Sequence, residues 1–228
     1  ALRQEQEDDP KASNDRQKQA RRRAAEERAA RVAAALERLP ELEAKKKPDE
    51  KDTARCSTTD ADATVMKMAN GGFNPAYNVQ FYTTAQSRII VGVGVTNEGS
   101  DNGQMEPMVD QVEENFGTLP EEYLVDGGFG SREDTTKLEQ RGVKVYSPVK
   151  KEQALLDQGA DPYARHRGDT DEYYAFRQRM KTPEAKEIYK ERSSTAEFPN
   201  AGCRTRGLQQ LPLRGLTNAR PIAPPQAP

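Results

Sequence analysis

The chain has 228 residues, 34% of them hydrophobic and 32% charged, with a net charge of −2. That length holds one domain with an appendage, but the polarity excludes a compact core running through all of it. The near-neutral charge excludes a generic polyanion binder, so any nucleic acid must be met by local basic clusters.

His166 is the only histidine, which leaves little material for zinc chemistry or a Ser-His-Asp triad. Cys56 and Cys203 lie far apart and match no metal spacing. A single disulfide is open to them, but reduced thiols are the better reading. No apolar run approaches the roughly 18 residues of a membrane helix, and no secretory signal is present. The first residue is Ala1 rather than Met, which points to processing or to a piece of a longer protein.

Residues 11 to 47 predict one long helix. Ser13, Asn14 or Asp15 can cap it, and Ala, Arg and Glu dominate its body. Its apolar stripe is mostly alanine with Val32, Leu36 and Leu39, which allows only shallow packing. A solvated, charge-laced helix is the first reading, and a coiled-coil or DNA-proximal arm the second. Pro40 is expected to break or kink it. Lys45 to Lys51 reads as a charged linker, and Cys56 to Asn70 as an irregular approach.

Two strands follow, Tyr77 to Thr83 and Arg88 to Thr96, with Thr84–Ser87 as the hairpin turn. Gly103 to Phe116 predicts a helix with Met105, Met108, Val109, Val112 and Phe116 on one side. Asp101 before it reads as a helix cap, and Asn78 and Gln80 as ordinary strand-face residues.

Tyr123-Leu-Val-Asp126-Gly-Gly-Phe129 reads as a short buried strand that stops on an aspartate and two glycines. Such an Asp presents its carboxylate to open space, an arrangement that suits a hard divalent cation. An Asp-Gly turn is the plain alternative. Ser131 to Arg141 predicts a helix and Val143 to Pro148 another strand. Residues 150 to 172 look loop-like, and Tyr173–Met180 and Pro183–Glu197 look helical. Pro199 and Gly202 fall where the last helix should continue, so it is expected to deteriorate after Glu197.

The segment Tyr189-Lys-Glu-Arg192-Ser-Ser-Thr-Ala-Glu197 places a tyrosine, an arginine and a glutamate on two helical turns. Several ordered blocks accompany it: Gly71 to Phe81, Val91 to Asn97, Asp101-Asn-Gly-Gln, and the Asp126 strand. Together they resemble the DDE transposases of bacterial insertion sequences, especially members with a Tyr-x-x-Arg-(few)-Glu signature. The resemblance spans roughly residues 11 to 215.

It implies an α/β, RNase H-like mixed sheet with flanking helices, incomplete because the first strand is missing, plus an N-terminal charged helical insertion. The organisation expected is residues 1–50 as insertion and linker, 51–210 as the partial catalytic core, and 211–228 as a disordered Pro-rich tail.

It also implies DNA cleavage and joining at a two-metal site holding Mg²⁺ or Mn²⁺. Asp126 and Glu197 would be the second and third metal-binding carboxylates, and Tyr189, Arg192 and Arg204 would contact DNA. The first carboxylate has no matching strand ahead of residue 11, and Asp60 and Asp62 are poor substitutes because no apolar strand leads into them. The partners implied are transposon-end and target DNA and further copies of the chain, in a cytoplasmic setting without membrane. A fragment with reduced or no activity alone is expected. A non-catalytic DNA-binding or oligomerisation remnant and a metal-dependent nuclease of the same fold are the alternatives.

Overall fold

The computed structural model describes residues 15–68, 71–207 and 213–220. The chain divides into two compact units, one of Ala1–Asn78 with Leu213–Ala219 and one of Val79–Pro212 with Arg220–Pro228. Both mix helices with small sheets, and the described strands pair two by two.

The first unit begins with helix α1, Asp15–Ala44. Arg22 pairs with Glu26 at 3.3 Å and Arg31 with Glu27 at 4.0 Å, the helical spacing expected of a charge-laced surface. Ala25 and Ala35 are buried while Leu36 stays exposed, so the packing face is alanine rather than leucine. The helix does not end at Pro40 but runs on to Ala44. A 3-10 segment, Pro48–Thr53, replaces the expected linker.

Strand β1 (Thr64–Lys67) falls within the stretch Cys56 to Asn70 expected to be irregular and pairs antiparallel with β2 (Phe73–Ala76). Of the segment 211–228 read as a disordered tail, residues 213–220 are described, and Leu216–Ala219 is a single helical turn. Asp60 and Asp62 hold it, accepting from the Gly215 and Leu216 amides at 3.0 and 2.9 Å. The remainder of that segment and residues 1–14 lie outside the described residues.

The second unit carries the main core. β3 (Asn78–Thr83) and β4 (Ile90–Thr96) pair across the turn at Thr84–Ile89. Helix α2 (Met105–Phe116) lies against β4, burying Met105, Met108, Val109 and Val112. Glycines on β4 let it come close. A Cβ at Gly94 would stand 2.9 Å from Met108 Sδ, and one at Gly92 would stand 2.7 Å from Gln111 Oε1.

β5 (Glu122–Leu124) and β6 (Lys144–Tyr146) are parallel, as a crossover through helix α3 (Arg132–Gln140) requires. Ser131 caps α3 by accepting from the Asp134 amide. Residues 150–172, expected to be loop, contain helix α4 (Glu152–Asp157).

Helices α5 (Asp171–Lys181) and α6 (Pro183–Thr205) complete the unit. Thr170 and Thr182 cap their first turns by accepting from Tyr173 and Ala185 amides. The deterioration expected after Glu197 is absent: α6 passes through a buried Pro199 to Thr205. Pro199 has no N–H to donate to the Thr195 carbonyl, so one intrahelical bond is lost there. The next carbonyl is covered from another direction, because Asn200 Nδ2 donates to Ala196 O at 3.0 Å.

Candidate active site

Asp126 sits just past the end of β5. The Val125 amide still donates to Tyr146 O at 3.0 Å, so the chain is held as strand until the residue before the aspartate. Two glycines then release it. The carboxylate turns back, Oδ1 accepting from the Gly128 amide at 2.8 Å, and its side chain remains 41% exposed.

Helix α6 brings a second motif to the same place. Arg192 Nη2 donates to Asp126 Oδ2 at 3.1 Å. Tyr189, one turn earlier, packs against the core cluster, and burial pushes its phenol above the usual range, with Arg192 opposing and Asp126 reinforcing. Glu197 is not brought in. At roughly 100° per residue, five residues carry it about 140° around the helix from Arg192. It is exposed, as is Arg204 in the last turn.

A second carboxylate, read from the sequence only as a helix cap, lies beside Asp126. Asp101 does not act as the side-chain cap of α2, whose N-cap is Gln104 without a side-chain bond. Instead Asp101 Oδ1 accepts from Gln80 Nε2 at 3.0 Å, and Gln80 is buried on β3. Asp101 and Asp126 approach one point: a Cβ built on Gly128 would lie 3.0 Å from Asp126 Oδ1 and 3.2 Å from Asp101 Oδ2. The turn that carries Asp101 is fastened from below, since buried Asp134 accepts from the Gly103 amide at 2.8 Å. The signal available in the sequence was a Ser-Asp-Asn-Gly turn directly after a β-branched strand.

Beside Asp126 and Arg192 opens a cleft of about 660 Å³. Residues 81–86 and 121–126 line it as unbroken runs, along with Thr195 and Ala196 of α6. Successive side chains on a strand alternate between faces, so an unbroken run presents a backbone edge. The cleft therefore lies between the open edges of β3 and β5, each of which has one partner among the described strands. Tyr82 and Tyr123 touch within the unit, their ring centroids 4.6 Å apart.

Residues 52–204 match the family model for the transposase DDE domain, two thirds of the chain. The chain belongs to the transposase DDE-domain family. Comparison with curated proteins and with solved structures finds no match. An RNase H-like fold and DNA as substrate follow from membership, and such domains use divalent metal ions.

Among the described residues, no group of three or more His, Cys, Asp or Glu side chains is arranged around one point. Two carboxylates, of Asp126 and Asp101, approach Gly128, where an added Cβ would stand 3.0 and 3.2 Å from their oxygens. Oxygen-only donors with room for water suit Mg²⁺ or Mn²⁺, which bind through one or two carboxylates. No helix among the described residues is long and apolar enough to cross a membrane.

Proposed function

We propose that the chain is the catalytic portion of a DNA transposase of an insertion sequence, in a truncated or degenerate copy. The observation that carries this reading is the Arg192–Asp126 contact, which joins two motifs 66 residues apart at one strand end. Water attacks a phosphodiester at the transposon end, and the freed 3′-hydroxyl then attacks target DNA.

Asp126 is a metal-holding carboxylate, and Asp101 beside it has the donor chemistry to share that work. When bound, two Mg²⁺ or Mn²⁺ ions supply activation of the attacking oxygen and neutralisation of charge on the leaving oxygen. Arg192 and Tyr189 hold the phosphate flanking the scissile bond, Arg192 as a bidentate donor and Tyr189 as a neutral hydroxyl. Arg204 adds a further phosphate contact along α6.

Glu197 is the third carboxylate by resemblance. Its place about 140° around α6 from Arg192 means that it joins only if the helix rewinds locally. Pro199, where one helical hydrogen bond is missing, is the natural point for that.

Among the described residues no strand pairs with the facing edges of β3 and β5, which supports a sheet without its first strand. The intact enzyme acts as a homo-oligomer on DNA in the cytoplasm. Two features favour a second reading, a non-catalytic DNA-binding remnant: Arg192 neutralises Asp126, and Glu197 faces solvent.

The test is cleavage and joining of terminal-repeat DNA with Mg²⁺ or Mn²⁺, using this chain and a version extended upstream. Activity in the extended form that Asp126→Asn abolishes supports the transposase. Salt-sensitive DNA binding with no metal-dependent cleavage in either form supports the remnant.

A further inference from the structure

The parallel pairing of β5 with β6 brings two outgoing segments to one place. Leu124 stands opposite Tyr146, so both strands run out in the same direction. Asp126-Gly-Gly128 follows β5, and Ser147-Pro-Val-Lys150-Lys151 follows β6. The two segments touch. A Cβ at Gly127 would lie 3.9 Å from Pro148 Cγ, and one at Gly130 would lie 2.9 Å from Ser147 Oγ. In open α/β sheets, ligands collect beyond the carboxyl ends of parallel strands.

Two lysines stand out at this end of the sheet. Ser147 and Val149 are buried, at 1% and 3% exposure, and Lys150 and Lys151 emerge onto the surface directly after them. Among the described residues neither lysine has an ion pair or a side-chain hydrogen bond. Lys137, Lys181, Lys186 and Lys190 of the same unit each hold a carboxylate. Glu152, next in the chain, is engaged by Tyr163 and Lys186 instead.

The backbone supplies a second, independent observation. Lys151 is left-handed, with φ 60° and ψ 24°. Arg88 is the only other non-glycine with positive φ among the described residues, and it belongs to the β3–β4 turn. A Cβ in this conformation costs strain that glycine avoids, yet the turn carries a lysine. Strain kept beside a candidate site points to use of the side chain that imposes it.

We propose that Lys150 and Lys151 are positioning residues that hold the DNA backbone beside the Asp126 strand end. They take phosphates flanking the one met by Arg192, as two point charges that read no sequence. The inference rests on the transposase reading for DNA as the polyanion. It requires no metal ion.

The experiment is fluorescence anisotropy of the full chain with a labelled duplex of mixed sequence, in EDTA, across a salt series. Lys150→Gln/Lys151→Gln should weaken binding about tenfold at low salt and make the slope of log K on log salt shallower by about two phosphate contacts. Lys150→Arg/Lys151→Arg should keep the slope. Lys144→Gln removes an exposed lysine at the opposite end of β6 and should also keep it. Lys151→Gly should lose about one contact while its melting temperature stays level or rises, because the left-handed strain is released.

A slope unchanged in the double glutamine variant but shallower in Arg192→Gln overturns this inference and leaves the transposase reading standing. An equal loss in Lys144→Gln overturns it as well, since net charge alone would then account for the effect. A lower melting temperature in Lys151→Gly would give that side chain a structural role and remove it from the proposal. Absence of DNA binding by the unaltered chain would overturn the inference and the transposase reading together.

Discussion

Arg192 Nη2 stands 3.1 Å from Asp126 Oδ2, tying helix α6 to the end of β5. Both side chains are partly exposed, at 31% and 41%, so the pair serves to position rather than to stabilise strongly. On the proposed reading, bound DNA would draw the guanidinium from the carboxylate to a phosphate.

Arg192→Gln is therefore expected to have two opposite effects. DNA affinity falls, and the dependence of log K on log salt becomes shallower by about one phosphate contact. Mn²⁺ affinity rises, because a positive charge beside Asp126 is gone. Fluorescence anisotropy across a salt series and a Mn²⁺ titration measure the two. A fall in both affinities would show that Arg192 only holds Asp126 in position.

Tyr82 is buried, its hydroxyl has no hydrogen-bond partner, and burial raises its phenol well above the ordinary range. Burial raises the Tyr123 phenol as well, with Tyr82 beside it adding to the shift. For a group whose folded pKa exceeds its unfolded value, stability is complete below the unfolded pKa, about 10 for tyrosine. It is lost as pH rises from there toward the folded value. Tyr82→Phe should therefore move the alkaline unfolding midpoint upward, followed as tyrosinate absorbance together with circular dichroism. At neutral pH it should be neutral or stabilising by up to about 1 kcal/mol, since an unsatisfied buried hydroxyl is removed.

Arg179 reaches from α5 to β6, donating to Glu139 Oε2 at 3.2 Å and to Val145 O at 3.0 Å while its guanidinium covers the Tyr146 ring. Glu139 also accepts from the Val145 amide at 2.8 Å. Arg179→Ala leaves a largely buried carboxylate without its cation. The expected cost is about 3 kcal/mol in urea unfolding, with no change in slope. A loss under about 1 kcal/mol would mean that water replaces the arginine.

Gly92→Ala tests the contact between β4 and α2. Its methyl would displace Gln111, whose side chain accepts from the Val93 amide at 2.7 Å and donates to Val93 O at 3.2 Å. Losing that bridge should cost about 2 kcal/mol. A smaller drop in melting temperature in Gly92→Ala/Gln111→Ala than the two single changes sum to would confirm the coupling.

Helix α2 was legible because methionine and valine recur at helical spacing before a glycine stop, and α3 and α6 because Ser131 and Thr182-Pro183 mark their starts. The β1–β2 pair was hidden: Phe73-Asn-Pro-Ala carries a proline and no alternation, and it becomes strand only through its ladder with Thr64–Lys67. Pro40 and Pro199 misled for the opposite reason. A proline removes one hydrogen bond, and a long helix with other anchors outlasts the loss. Asp60 and Asp62 are occupied in binding a distant turn, which no local pattern announces.

At the site, the sequence by itself determined that an aspartate ends a buried strand on two glycines, and that tyrosine and arginine share one helix. Residue type and local spacing are enough for both, since backbone freedom and helical periodicity are local properties. Only the tertiary structure decided that Arg192 meets Asp126, that Glu197 turns away, and that Asp101 with Gln80 faces Gly128. Those relationships depend on how helix α6 is rotated and how the β4–α2 turn is anchored. Packing across the core fixes both, between residues far apart in the chain.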